Sequence, residues 1–169
     1  GMYGLRGGVT GWGDRIHMQV DTDSVAEAIE SGQTYKIGKA NIVRGGSDAT
    51  IITWGAMVHV ALKAAETLSS EGHEIEIVDL RTLAPFDAAT CVASVSRTGR
   101  MLVLQESQHT GGLGHSVSSR IQEETFWNLE APPVVIGALD TPVPFSPPLE
   151  DHTIPTAELV ASHLRNLLA

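Results

Sequence analysis

A chain of 169 residues, 42% of them apolar and 18% charged, is long enough for one domain with a real core. Its formal net charge of −9, with 20 acidic against 11 basic residues, argues against nucleic acid as a partner, because phosphate binding needs clustered Lys and Arg. No apolar run approaches the roughly 20 residues of a membrane helix, no basic-then-apolar secretory start is seen, and the single Cys91 excludes an intramolecular disulfide, so no membrane partner and a cytoplasmic location are expected.

Residues 1–34 differ from the rest and are expected to form a separate arm. Six glycines stand in the first 13 positions, and only "DTDSVAEAIESGQ" (21–33) has the pattern of a short helix, with Ser24 and Glu27 at capping-box spacing. From residue 35 onward the pattern is regular and predicts one domain to residue 169. "DATIITWG" (48–55) is a β-branched strand that stops at a glycine. Met57 to Ser70 carries apolar residues at 57, 61, 64, 65 and 68, one face of a helix. "HEIEIVDL" (73–80) is the next strand; Asp87 then caps a helix through about Ser96, and Gly99 ends it. "MLVLQE" (101–106) is apolar enough to be buried on both faces. Beyond a glycine-rich turn, Leu113, Val117 and Ile121 recur at helical spacing, and "PPVVIGA" (132–138) is a fourth strand. A Pro-rich segment leads to a last helix, predicted to hold Pro155 in its first turn and to present Leu159, Val160, Leu164, Leu167 and Leu168 as its apolar face. Strand and helix thus alternate about four times, which predicts a three-layer α/β/α sandwich with a mostly parallel sheet. Function in such sheets collects at the C-terminal strand edge.

That edge carries "LQESQHTGGLGHSV" (104–117), the most distinctive turn in the chain. It fails as a dinucleotide fingerprint, because Val117 stands where G-x-G-x-x-G needs its third glycine, and as a P-loop, because no lysine is near. Backbone amides at a helix start can still hold an anion, while a tight structural turn explains Gly111, Gly112 and Gly114 equally well. His109 and His115 form an H-x₅-H pair without a third ligand in sequence, a weak metal signal. Glu106, at the strand end, is placed to accept loop amides, to meet a neighbouring subunit, or simply to be solvated. Cys91 among Ala88, Ala89, Val92 and Val95 is a small buried hydrophobe rather than a nucleophile. His59, His73 and His163 have no sequence partners, and Asp79 and Arg81 suit a salt bridge that organises the loop after their strand. No Gly-Asp-Gly…Asn motif for holding the magnesium of thiamine diphosphate occurs.

Taken in order, "GKANIVRGGSDATIITWGAMVHVALKAAETL", "EIVDLRTLAPFD", "VLQESQHTGGLG", "EAPPVVIGALDTPVPFSPPLED" and "IP" closely resemble the C-terminal, transketolase-type domain of the β subunit of thiamine-dependent 2-oxo acid dehydrogenases of the pyruvate and branched-chain type. The resemblance covers about residues 36–169. It implies a transketolase C-terminal-domain-like fold and a role in assembly, in which the domain offers an acidic surface to partners. Those partners would be further copies of this chain, the α subunit, and the basic subunit-binding domain of the acyltransferase. Thiamine diphosphate and magnesium belong to the parent complex and to domains this chain is expected to lack, so the chain alone is expected to bind no cofactor and to be inactive. Glu106, His109, Gly111, Gly112, Gly114 and His115 then become candidate interface or anion-binding positions. Two alternatives stay open: a split-enzyme component active only with separately encoded thiamine-binding domains, and a stand-alone regulatory module binding a nucleotide or anion at the glycine turn.

Overall fold

The computed structural model describes Glu30 and residues 36–169; the helix expected within 21–33 lies, Glu30 apart, outside the described residues. The chain divides between Ile37 and Gly38, and the architecture below is that of the second unit. Its elements are β1 (Asn41–Arg44), β2 (Ala49–Thr53), α1 (Met57–Ser70), β3 (Ile75–Asp79), α2 (Ala88–Thr98), β4 (Met101–Gln108), α3 (Leu113–Thr125), a 3-10 turn (Phe126–Asn128), β5 (Val134–Ala138), α4 (Pro147–Thr153) and α5 (Ala157–Leu168).

The five strands form one sheet in the order β1-β3-β2-β4-β5. β2 pairs in parallel with β3 and β4, and β4 with β5, whereas β1 runs antiparallel along β3 with a register break between Ile42 and Arg44. Successive strand side chains point to opposite faces, and the two cores follow from that alternation. Ile51, Ile75, Ile77, Leu102 and Leu104 pack with α1 and α5 on one face. Ile52, Val78, Met101 and Val103 pack on the other with Cys91 and Val95 of α2 and Val117 and Ile121 of α3. This is the three-layer sandwich that the alternating pattern predicts.

α1 spans the predicted residues and buries Met57, Ala61, Ala64, Ala65 and Leu68, so three alanines let its backbone lie close to the sheet. α2 begins as its sequence implies: Asp87 accepts from the Thr90 amide and hydroxyl and from the Ala40 amide. Gly99 ends it in the left-handed conformation at φ 68°, which only glycine adopts at little cost. Burial pushes the Cys91 thiol up to about 12, with the nearby Asp87 charge adding to the shift.

Three expectations need correction. Pro155 lies ahead of α5 rather than in its first turn; Thr156 is the cap and accepts from the Leu159 amide at 3.2 Å. Leu159 faces outward, and its core position is taken by Ala161 beside Val160, Leu164 and Leu167. Leu113 is likewise exposed: the first turn of α3 meets the sheet through Gly114, which leaves Leu113 facing outward. Within the Pro-rich segment, Pro147 and Pro148 open the short helix α4, where proline's fixed φ suits a first turn and its missing N–H costs nothing.

Candidate functional site

At the C-terminal edge of the sheet, β4 delivers Gln105 into the interior. A fully buried carboxamide must find partners, and Gln105 finds them in the turn that follows it. Its Nε2 donates to the Gln108 carbonyl at 2.8 Å, and its Oε1 accepts from the Gly114 amide at 2.6 Å. The glycines surround this side chain. A Cβ at Gly112 would overlap Gln105 Nε2 and stand 2.5 Å from the Gln108 carbonyl; one at Gly114 would stand 2.8 Å from Gln105 Oε1. Gly111, at φ 76°, has open space around it and is needed for its backbone conformation alone. The turn is therefore glycine-rich so that it can close over Gln105, and the helix-start amide of Gly114 is already committed to that side chain.

A second set of bonds ties this turn to the exit of β5. The His109 amide donates to the Ala138 carbonyl at 2.9 Å. Thr110 donates to Asp140 through its amide at 2.8 Å and its hydroxyl at 2.7 Å, and Gln108 Nε2 donates to the Thr141 carbonyl at 3.1 Å. Gly137 permits the approach, since a Cβ there would stand 2.7 Å from the Ser107 carbonyl. The hydrogen bonds from the Thr110 hydroxyl and amide hold the Asp140 carboxyl below its ordinary value. His109 and His115 stack edge to face with ring centroids 4.7 Å apart, both on the surface. Glu106 is half-buried and lines a cleft of about 120 Å³ with Ser107, Gln108, Ala138, Val143, Glu150, Thr153 and Ile154. Asp79 holds the β3 exit as its spacing with Arg81 suggests, accepting from the Arg81 amide at 3.0 Å with the guanidinium Nε 3.8 Å away.

The six candidate residues thus lie along the end of β4, the turn and the start of α3, and Gly112 and Gly114 are the ones whose lack of a side chain makes room for the buried Gln105 that organises the turn. Gln105 and Asp140 escape a search for chemistry-bearing motifs. The available signal for Gln105 is a polar residue closing the apolar run "MLVL", with glycines seven and nine positions later.

Residues 38–160 match the family described as the transketolase C-terminal domain. The chain belongs to that family. Among curated proteins, the chain is 44% identical over 142 residues to the β subunit of acetoin:2,6-dichlorophenolindophenol oxidoreductase from Cupriavidus necator, covering 84% of this chain and 42% of that protein. It is also 44% identical over 130 residues to the pyruvate dehydrogenase E1 component β subunit of Bacillus subtilis, covering 77% of this chain and 40% of that protein. The match therefore spans about two fifths of those relatives' length. Among solved structures, a split-gene transketolase described as an inactive beta4 tetramer superimposes with a TM-score of 0.68 at 31% identity, over 79% of this chain and 43% of that one. A transketolase from Pichia stipitis, at 17% identity and a TM-score of 0.55, shares the fold over 78% of this chain and 18% of its own.

The thiamine diphosphate and magnesium of the parent enzymes do not fit the residues described. The glycine turn that would cradle a diphosphate is filled by Gln105, and the loop's Thr110 donors are engaged by a carboxylate, Asp140. Among the described residues, no three His, Cys, Asp or Glu side chains converge as a metal ion requires.

Proposed function

We propose that this transketolase C-terminal domain serves assembly and partner docking in a thiamine-dependent 2-oxo acid dehydrogenase β subunit, and that the chain alone decarboxylates nothing. The observation that carries the reading is the apolar rim beside the glycine turn. Val143 is 70% and Phe145 97% exposed, with Leu139 and Leu149 more than half exposed next to them in sequence. Exposed apolar groups of this size, close together and edged by carboxylates, mark an interaction surface. The turn behind them is locked by Gln105 and Asp140 into a fixed shape, which lowers the ordering cost of binding. The partners are further copies of this chain, the α subunit and the basic subunit-binding domain of the acyltransferase, with a cytoplasmic location. Thiamine diphosphate and magnesium belong to the other parts of the holoenzyme.

The test is light scattering coupled to size exclusion, on the chain alone and mixed with the α subunit and acyltransferase binding domain of a pyruvate dehydrogenase. A homo-oligomer, or capture of either protein, is the expected result. A monomer that captures neither overturns the proposal, as does decarboxylation of pyruvate by the chain alone with thiamine diphosphate and magnesium. A split enzyme is the second reading, favoured by the likeness to a split-gene transketolase whose β chain assembles as an inactive tetramer. It requires activity to appear when separately produced thiamine-binding domains are added.

A further inference from the structure

Beyond the docking reading above and independently of it, we propose that the outer face of α3 pairs with the same face of a second copy of this chain, antiparallel across a two-fold axis, with Trp127 of each copy seated at the partner's Ser116. α3 turns Gly114, Val117, Ser118, Ile121 and Thr125 toward the sheet. Its opposite side carries Ser116, Ser119, Glu123 and, in the 3-10 turn that follows, Trp127, spaced by three or four positions and all exposed. This stripe is small at its start and large at its end. Phe126 and Trp127 meet edge to face with ring centroids 4.9 Å apart, and they are 55% and 93% exposed. An open cleft of about 440 Å³ runs from Ser119 to Trp127, completed by Gln122, Glu123 and Phe126. Two large aromatic side chains held together outside the core mark an interaction surface, and tryptophan is foremost among the anchors of such surfaces.

Shape and charge both select a second copy as the occupant. Antiparallel pairing centred near Gln122 sets each Trp127 against the partner's Ser116, where no bulky side chain stands in its way, over about 16 Å of helix. The same pairing brings Arg120 opposite the partner's Glu123. Within one copy Arg120 holds Glu124 at 2.6 Å and Glu123 at 3.5 Å, so its guanidinium already lies on this face and has donors enough to span its own Glu124 and the partner's Glu123. Parallel pairing would instead set Trp127 on Trp127 and Arg120 on Arg120, and is rejected by its like charges. Two Trp127 and two half-exposed Phe126 side chains supply on the order of 500 Å² of buried surface, and the three helical turns between them carry the rest of the roughly 1,200 Å² at which specific interfaces begin. A membrane surface is a poor occupant, because Glu123, Glu124 and Glu130 border the aromatic pair.

The test is sedimentation velocity on the full chain across a wide range of concentration. The parent is expected to pass from monomer to dimer, or to a larger even-numbered assembly, as concentration rises. Trp127→Ser should raise the dissociation constant at least about 10-fold, and so should Ser116→Trp, which fills the place the partner's indole takes. Both positions are exposed, and thermal melts confirm that each variant is folded. Charge exchange gives a second reading: Arg120→Glu and Glu123→Arg should each weaken the dimer about 5-fold, and the double exchange should recover most of that loss, because the pair reforms across the axis with its signs reversed. Phe145→Ser, beyond the C-terminal end of β5, should leave this dimer intact. A parent that is monomeric at every concentration overturns the proposal. So do Trp127→Ser and Ser116→Trp proteins that associate as the parent does, or a double exchange no better than its singles. Assembly lost in Phe145→Ser but kept in Trp127→Ser means that the rim beside the glycine turn joins the copies: the docking reading stands and the α3 pairing falls. The reverse pattern upholds the α3 pairing and takes that rim out of self-association.

Discussion

Gly112→Ala should be among the most damaging one-carbon changes in this domain. Gly112 has φ −73° and ψ 155°, a conformation open to any residue, so alanine meets no backbone penalty. The cost is steric. The new Cβ would overlap Gln105 Nε2 and lie 2.6 Å from Gln105 Cδ, so the carboxamide must leave its place. Its bonds to the Gln108 carbonyl and from the Gly114 amide would go with it. Each buried hydrogen bond contributes about 0.5–1.5 kcal/mol net, and a group left unpaired costs about 1–3 kcal/mol, which places the loss at about 2–4 kcal/mol. Urea unfolding at unchanged m-value measures it. Gln105→Ala should cost a similar amount while emptying the space, so adding Gly112→Ala to it should cost less than it does in the parent, a departure from additivity, with the approach of the new Cβ to within 2.5 Å of the Gln108 carbonyl as the part that remains. Gly111→Ala has open space but φ 76°, and should lose only about 1 kcal/mol to backbone strain. A Gly112→Ala protein within about 0.5 kcal/mol of the parent, or a double variant equal to the sum of its singles, refutes the argument.

Three further outcomes can be checked. Burial raises the Asp87 carboxyl, but hydrogen bonds from Thr90 and the Ala40 amide, with the Lys39 charge, outweigh it and hold the group below its ordinary value. Its contribution is therefore full above the unfolded value of about 3.9 and is lost as pH falls through the folded one; Asp87→Asn should flatten the stability–pH curve in that acid range, and Asp87→Ala should cost about 1–2 kcal/mol in thermal melts. With its thiol pushed up to about 12 and no exposure, Cys91 should react with a thiol reagent only as the protein unfolds, and rapid labelling of the native chain would contradict this. Phe145→Ser should leave stability within about 0.5 kcal/mol while reducing self-association or subunit capture in the scattering experiment; unchanged assembly would remove Phe145 from the interface.

The layers were legible because local signals and the global fold agree. β2 and β4 are β-branched or continuous apolar runs, α1 has a clean helical stripe, and Asp87 and Gly99 bracket α2 with its own cap and stop. β1 was not legible: four residues with Asn41 and Arg44 at the ends owe their strand state to antiparallel pairing with residues more than 30 positions away. α4 was hidden by prolines that read as linker until their place at a helix start is known. In the candidate site, the glycines stood out but the reason for them did not. Gln105 and Asp140 act through hydrogen bonds to a turn, and such bonds depend on where two strand ends meet in space, which residue spacing does not encode.

The order of strands also sets a hazard during synthesis. β2 is the central strand, with all five residues of "ATIIT" buried, and the first part of the parallel core to be made. Its parallel neighbours begin only at Ile75 and Met101. A nascent chain that has not yet reached Met101 therefore carries an apolar, β-prone segment with one unpaired edge, the kind of template on which chains co-aggregate. Slow translation between α1 and β4 would lengthen that exposure, so the yield of this domain in a cell depends on how fast its own central strand is covered.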